Sequence, residues 1–401
     1  MSRFRFQVGR PQQLAALLLL FFLAECLWVV GRQQLSSTDY RFARCGREMW
    51  ERPSPLAGYF TSCGNMNGDG TFAYRIAGLP LTVQRLLLLG ADKLRKPENR
   101  LYAGGSLNGS TWEARHEVGQ VKYLLHLPFI LFATWLGAGL WWVSRRLFGN
   151  EGAFLSLGLY CLCPEVIRYA VVPNDDVLAM WGLYGLVYTG IGVAHAMHGP
   201  QRLWRPRILL LEIALGLTAI AHLLAAIVGF AAASVLMFYL AERRRSAVME
   251  VLIFSAMGAL GIVFASYAFR LQPFSYVFTG GGARFWASLV PAKALFLNIF
   301  DGPIVVSVLV SVVLWMGVRR SRYFGNTVPL AMAAILLPLM TTQTVTAPWL
   351  WAIPFLLTFV GGVFADALET RQRRLFLGLT GGVLVTQALV CLSTLPGIAR
   401  L

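Results

Sequence analysis

Charge is scarce in this chain, and negative charge is scarcer still. Only 13% of its 401 residues are Asp, Glu, Lys or Arg, about half the share of an ordinary soluble domain. Acids number 19 against 35 Lys and Arg, a formal net charge of +16. So little charge excludes an ordinary soluble globule. Cysteine is sparse too, at six residues, and no Cys-x-x-Cys occurs. His-Glu-x-x-His and P-loop patterns are missing as well, so no motif supports a zinc or nucleotide site. There is no visible internal repeat, which counts against a transporter built from related halves.

Apolar length is what the chain has. The hydrophobic fraction is 57% and the mean hydropathy is +0.60. The basic residues cluster between apolar runs, which marks them as cytoplasmic anchors rather than nucleic-acid contacts. Arg3, Arg5 and Arg10 put the N-terminus inside, and Leu14–Val30 is long enough to cross a bilayer. Trp28-Val29-Val30-Gly31-Arg32 is a poor cleavage site, so this first helix is expected to stay attached. Residues 31–121 are then a long extracytoplasmic loop. Lys122–Val143 returns to Arg145 and Arg146, Gly152–Val172 leaves, and Asp176–Met197 comes back to Arg202, Arg205 and Arg207. Ile208–Leu240 is too long for one span and is expected to be two helices meeting near His222 and Ala225. Val248–Phe269 leads to a second extracytoplasmic loop, residues 270–298. Pro303–Val318, Asn326–Met340, Trp349–Asp366 and Leu375–Leu395 complete about eleven spans. The expectation is an all-α polytopic membrane protein, one transmembrane domain over residues 1–401, with its C-terminus outside.

The first loop has structure of its own in the pattern. Thr38–Arg52 is helical in composition, with Asp39, Phe42, Gly46, Met49 and Trp50 near one face. Ser36, Ser37 or Thr38 would cap it, leaving Asp39 as a first-turn acid. Glu48, about half a turn round from Asp39, should not enter the same site. Ala73–Leu94 is a second helix, broken or kinked near Pro80, with a surface-lying amphipathic stretch at Val83–Leu89. Cys45 and Cys63 share this loop and are a candidate disulfide, while Cys26, Cys161, Cys163 and Cys391 are packing thiols.

The remaining candidates are polar groups at the ends or in the middle of spans. Asn174-Asp175-Asp176 opens one span; one of these residues suffices as a cap, so two adjacent acids exceed what capping needs. Glu165 and Arg168 either pair with each other or leave Arg168 to hold an anion. His222 lies between two apolar helices and is a functional candidate on that ground. Glu25 and Glu212 are expected to be protonated or hydrogen-bonded to a neighbouring helix. Phe269–Leu295 combines aromatics, Gly280-Gly281-Gly282 and the cations Arg270, Arg284 and Lys293, a composition suited to closing over a phosphate-bearing lipid.

This layout resembles the polytopic GT-C glycosyltransferases of the protein-mannosyltransferase-like and aminoarabinose-transferase-like group, glycosyltransferase family 39. Members often carry Asp-Glu-x-x-His-x-x-x-Gly after the first span. Thr38–Gly46 keeps the second acid, as Asp39, and the glycine, and lacks the first acid and the histidine. Arg145–Leu186 resembles the stretch in which a basic-Phe-Gly turn leads to a helix, a proline and an Asp opening the next helix; Asp176 falls there. Gly216–His222 matches a segment that usually ends in Lys, and the group's His-Pro-Pro-Leu-like stretch is replaced near Asp69–Phe72. The resemblance implies a divergent member that moves a sugar from a polyprenyl phosphate to an extracytoplasmic acceptor with inversion, in a bacterial inner membrane. Asp39 would be the general base and Asp176 would orient a substrate, with Asp175 beside it. Arg168, His222, Arg270 and Arg284 would face the phosphate. A divalent cation is an optional participant, and no other cofactor is implied. The alternative is a non-catalytic membrane subunit, or a lipid or solute transporter, on the same fold.

Overall fold

The computed structural model describes residues 9–51, 71–93, 118–200, 204–241, 244–267, 269, 302–317, 323–337, 346–369 and 373–400. Among these the regular structure is helical, and the expected spans fall on helices, Gly152–Val172 divided between two: α1 (Arg10–Arg32), α4 (Val118–Cys161), α5 (Pro164–Ala170), α6 (Asp176–Ala196), α7 (Arg205–Ala221), α8 (Leu223–Leu240), α9 (Arg245–Ser266), α10 (Gly302–Gly317), α11 (Tyr323–Leu336), α12 (Thr346–Leu368) and α13 (Arg373–Ile398). The two loop helices are α2 (Ser37–Glu51) and α3 (Thr71–Lys93). Among the described residues, seven helices are long and apolar enough to cross a bilayer, and 302–317 and 325–336 are shorter apolar helices. The molecule is an all-α polytopic membrane protein.

Local chemistry explains where the apolar runs break. α4 holds two of the expected spans, separated at Gly149, whose φ of 82° and ψ of −170° no helix accommodates. Glycine takes that backbone without a Cβ clash. The span expected over Gly152–Val172 is not one helix: α4 stops at Cys161 and α5 restarts at Pro164. Proline has no N–H to donate and is favoured at the first helical position, so it opens a new helix there. The long run Ile208–Leu240 divides at His222, whose φ of −152° and ψ of 111° are extended. α3 runs through Pro80 as a single helix.

The chain forms two compact units. Residues 1–32, 133–168 and 289–401 make one of them. There Phe22 of α1 lies 5.7 Å from the Tyr160 ring, and Tyr160 donates its hydroxyl to the Ala133 carbonyl at 2.7 Å. Ser156 donates to the Leu357 carbonyl of α12 at 2.9 Å. Such bonds satisfy polar groups where no water reaches them. Glu25 does reach a neighbouring helix, accepting from the Cys391 thiol of α13 at 3.7 Å.

Residues 33–132 and 169–288 make the other unit. In it α2 and α3 cross at Gly46 and Gly78 so closely that a Cβ on Gly46 would sit 2.6 Å from the Gly78 nitrogen. Phe42 stacks on Tyr74 at 4.3 Å. A single apolar cluster joins Phe42, Met49 and Tyr74 to Leu125 and Phe129 of α4, Leu178 of α6, Ile220 and Ala221 of α7, and Tyr267. The loop helices are thus packed into this unit through an apolar core shared with α4, α6 and α7.

Candidate active site around Asp39

Asp39 stands in the first turn of α2, and the sequence makes that turn. Ser36 precedes the helix and Asp39 follows three residues later, the spacing of a capping box. The Asp39 N–H donates to Ser36 Oγ at 3.2 Å. In return Asp39 Oδ2 accepts from the Ser36 N–H at 2.7 Å and from its hydroxyl at 2.9 Å. The other oxygen, Oδ1, lies 3.4 Å from Nε2 of His126 on α4. Both side chains are buried, Asp39 at 4% exposure and His126 at 3%. Burial by itself pushes the Asp39 carboxyl up; the hydrogen bond and charge of His126, with the two Ser36 donors, outweigh it and hold the carboxyl below its ordinary value.

The contact continues to the next acidic segment. His126 Nδ1 donates to the Val171 carbonyl at 2.5 Å, just ahead of Asn174-Asp175-Asp176. Asn174 organises that turn: its amide donates to the Tyr169 and Val172 carbonyls at 2.7 and 2.6 Å, and its oxygen accepts from the Val177 N–H at 2.9 Å. Asp175 makes no side-chain capping bond to α6. Both aspartates are half-buried. Lys122, one turn before His126, donates to the Gln33 carbonyl and interacts with the Asp39 carboxylate. His222 is half-buried at the break between α7 and α8, next to Ala221 of the shared apolar cluster.

Of the other sequence candidates, Trp50 departs from its expected place. Glu48 is buried like Asp39, but beside Arg44 at 3.5 Å, so the two acids have different partners. Trp50 is 44% exposed rather than turned in with Met49, and its indole donates to the Arg75 carbonyl at 2.8 Å. Arg168 belongs to the unit of α1 and α12 and pairs with Glu165 at 3.7 Å. Cys45 is disulfide-bonded; its expected partner Cys63, like Arg270 and Arg284, lies outside the described residues. Among the described residues, no group of three or more His, Cys, Asp or Glu side chains is arranged to hold a metal ion. Sequence reasoning missed His126 altogether. The only local signal was one polar ring inside the apolar run Lys122–Val143.

No protein-family model and no curated protein sequence matches the chain. Solved structures do. ArnT from Cupriavidus metallidurans bound to undecaprenyl phosphate matches with a TM-score of 0.62 at 14% identity, over 96% of this chain and 71% of that one. Its apo form matches with a TM-score of 0.58 at 14% identity, over 96% and 74%. This chain has the ArnT fold. The likeness spans the chain, C-terminal half included, whereas the sequence resemblance is strongest over about the first 240 residues. The all-α architecture expected from the sequence is therefore the one observed, and in it Asp39 and Asp176 lie in the first turns of α2 and α6.

Proposed function

We propose that the protein is a glycosyltransferase of the inner membrane, moving a sugar from a polyprenyl-phosphate donor to an extracytoplasmic lipid, glycan or protein acceptor with inversion. The observation that carries this reading is the tie from Asp39 through His126 to the turn that presents Asp175 and Asp176. The fold it shares with ArnT, one structure of which holds undecaprenyl phosphate, supports the lipid carrier. Asp39 acts as general base on the acceptor hydroxyl or amine, a role worth roughly 10²–10⁴-fold in rate. The acceptor atom forms its bond to the anomeric carbon as the bond from that carbon to the phosphate oxygen breaks. The electron pair leaves on the polyprenyl phosphate. Asp176, with Asp175, orients the acceptor or donor sugar or helps hold a divalent ion. His222, Arg270 and Arg284 are the proposed partners of the leaving phosphate.

The test is transfer from a labelled polyprenyl-phosphate sugar in membranes containing the wild type or Asp39→Asn. Loss of transfer with normal insertion is expected; full transfer by the variant removes Asp39 from the mechanism. One observation favours the second reading, a non-catalytic membrane subunit: both oxygens of Asp39 are already engaged, by Ser36 and His126. That reading predicts no transfer by the wild type, and a loss of thermal stability as the main effect of the substitution.

A further inference from the structure

We infer that His126 is the positioning residue of Asp39: its ring fixes which carboxylate oxygen faces α4 and ties that carboxylate to the turn opening α6. The inference rests on Asp39 being the base. A carbonyl can only accept, so at the 2.5 Å contact with Val171 a ring proton sits on Nδ1. Nε2 is then the nitrogen turned to Asp39, 3.4 Å from Oδ1; a carboxylate only accepts, so to hold it Nε2 carries the second ring proton and the pair is an imidazolium beside a carboxylate. Both of those atoms are buried, and among the described residues neither has another hydrogen-bond partner. Each is held for the other.

The arrangement divides the work of the carboxylate. Oδ1 is kept by the ring, and Oδ2 is the oxygen an acceptor reaches, in exchange for the Ser36 hydroxyl. The proton released as the acceptor oxygen or nitrogen bonds the anomeric carbon goes to Oδ2; His126 keeps the carboxylate from turning and favours its ionised form beforehand. Among the described residues, His126 and Lys122, both on α4, act on Asp39. From α6, Asp175 and Asp176 follow Val171 in the chain. Tyr74 of α3 and Tyr267 after α9 line the same cluster, and His222 adjoins it.

The experiment is an infrared titration of the full-length protein in lipid nanodiscs with carbon-13-labelled aspartate, the Asp39 band being the one absent from Asp39→Asn. In His126→Gln the midpoint of that band is expected to rise. An unchanged midpoint overturns the inference. Should His126→Gln fail to fold, His126→Asn is titrated with the same two outcomes. Transfer is measured on the same preparations. A fall in kcat of about 10-fold or more, with KM for the donor within about twofold and the acid limb of the pH profile moved upward, is expected. A wild-type rate and pH profile in His126→Gln also overturns the inference. If the wild type does not transfer, or Asp39→Asn transfers normally, the catalytic reading falls, while the infrared midpoint still decides whether His126 sets Asp39.

Discussion

Two helices of one unit open on acids, and they use them differently. At α2 the acid does the capping: Asp39 closes a reciprocal box with Ser36 and spends its second oxygen on His126. At α6 an amide caps: Asn174 takes the Val177 N–H, and Asp175 makes no such bond. A carboxylate that caps stabilises its helix by the same hydrogen bonds that restrict it. Where a neighbour does the capping, the acids are left for other partners. The contrast teaches that position at a helix opening does not decide a carboxylate's role. What decides it is who satisfies the orphan N–H groups.

The largest expected effect tests the α2 side. Asp39→Asn keeps the size and can still accept from Ser36, so its helix should survive, yet it is a far weaker base. Transfer should fall roughly 10²–10⁴-fold, measured with a labelled polyprenyl-phosphate sugar. The same variant should flatten an acid limb of stability. The Asp39 carboxyl is held below its ordinary value in the folded protein, so its contribution is present above the unfolded carboxyl range. That contribution is lost as pH falls through the lower folded value. Thermal unfolding in detergent between neutral and acid pH should show the loss in the wild type and less of it in Asp39→Asn. A wild-type acid limb in the variant would mean that another carboxylate controls it.

Smaller effects concern how α2 is held. Peptide mapping without reduction should find Cys45 linked to Cys63, the one cysteine of the sequence outside the described residues, and the double Cys→Ser variant should lose about 2–4 kcal/mol. Recovery of both thiols free rejects the pairing. Gly46→Ala places a Cβ against the Gly78 backbone, which cannot step aside as a side chain would. It should cost about 1–3 kcal/mol and lower the melting temperature; an unchanged melting point would mean that α2 and α3 separate freely.

Much of this could be read from the chain. The spans follow from apolar length and basic clusters, and α2 is found within a residue of its expected start because Ser36 and Asp39 carry a local signal. The break at His222 was forced by a run too long for one crossing. What could not be read were contacts made by distant segments. His126 gains a meaning only when α2 packs on α4 and the Val171 carbonyl arrives from the other side. Trp50 follows the helical period towards the buried face, but the Arg75 carbonyl draws its indole outward. The α4–α5 break shows the reverse: Pro164 was visible, and whether it bends or ends a helix depends on the packing around it.

The smallest effects are expected at α6, and there the comparison is sharpest. Asn174→Ala removes the acceptor for the Val177 N–H and two donors to the preceding turn. It should cost about 1 kcal/mol as a lost cap. Asp175→Asn removes no capping bond to α6, and the charge it takes from the positive end of the helix is worth about 0.3–1 kcal/mol. If capping were the reason for the acids, Asp175→Asn would destabilise as much as Asn174→Ala and leave transfer alone. If the acids serve a substrate, the order reverses between assays: Asn174→Ala lowers the melting temperature more, and Asp175→Asn or Asp176→Asn lowers transfer more. Measuring both variants in both assays separates the two, because a shared structural role cannot produce opposite rankings.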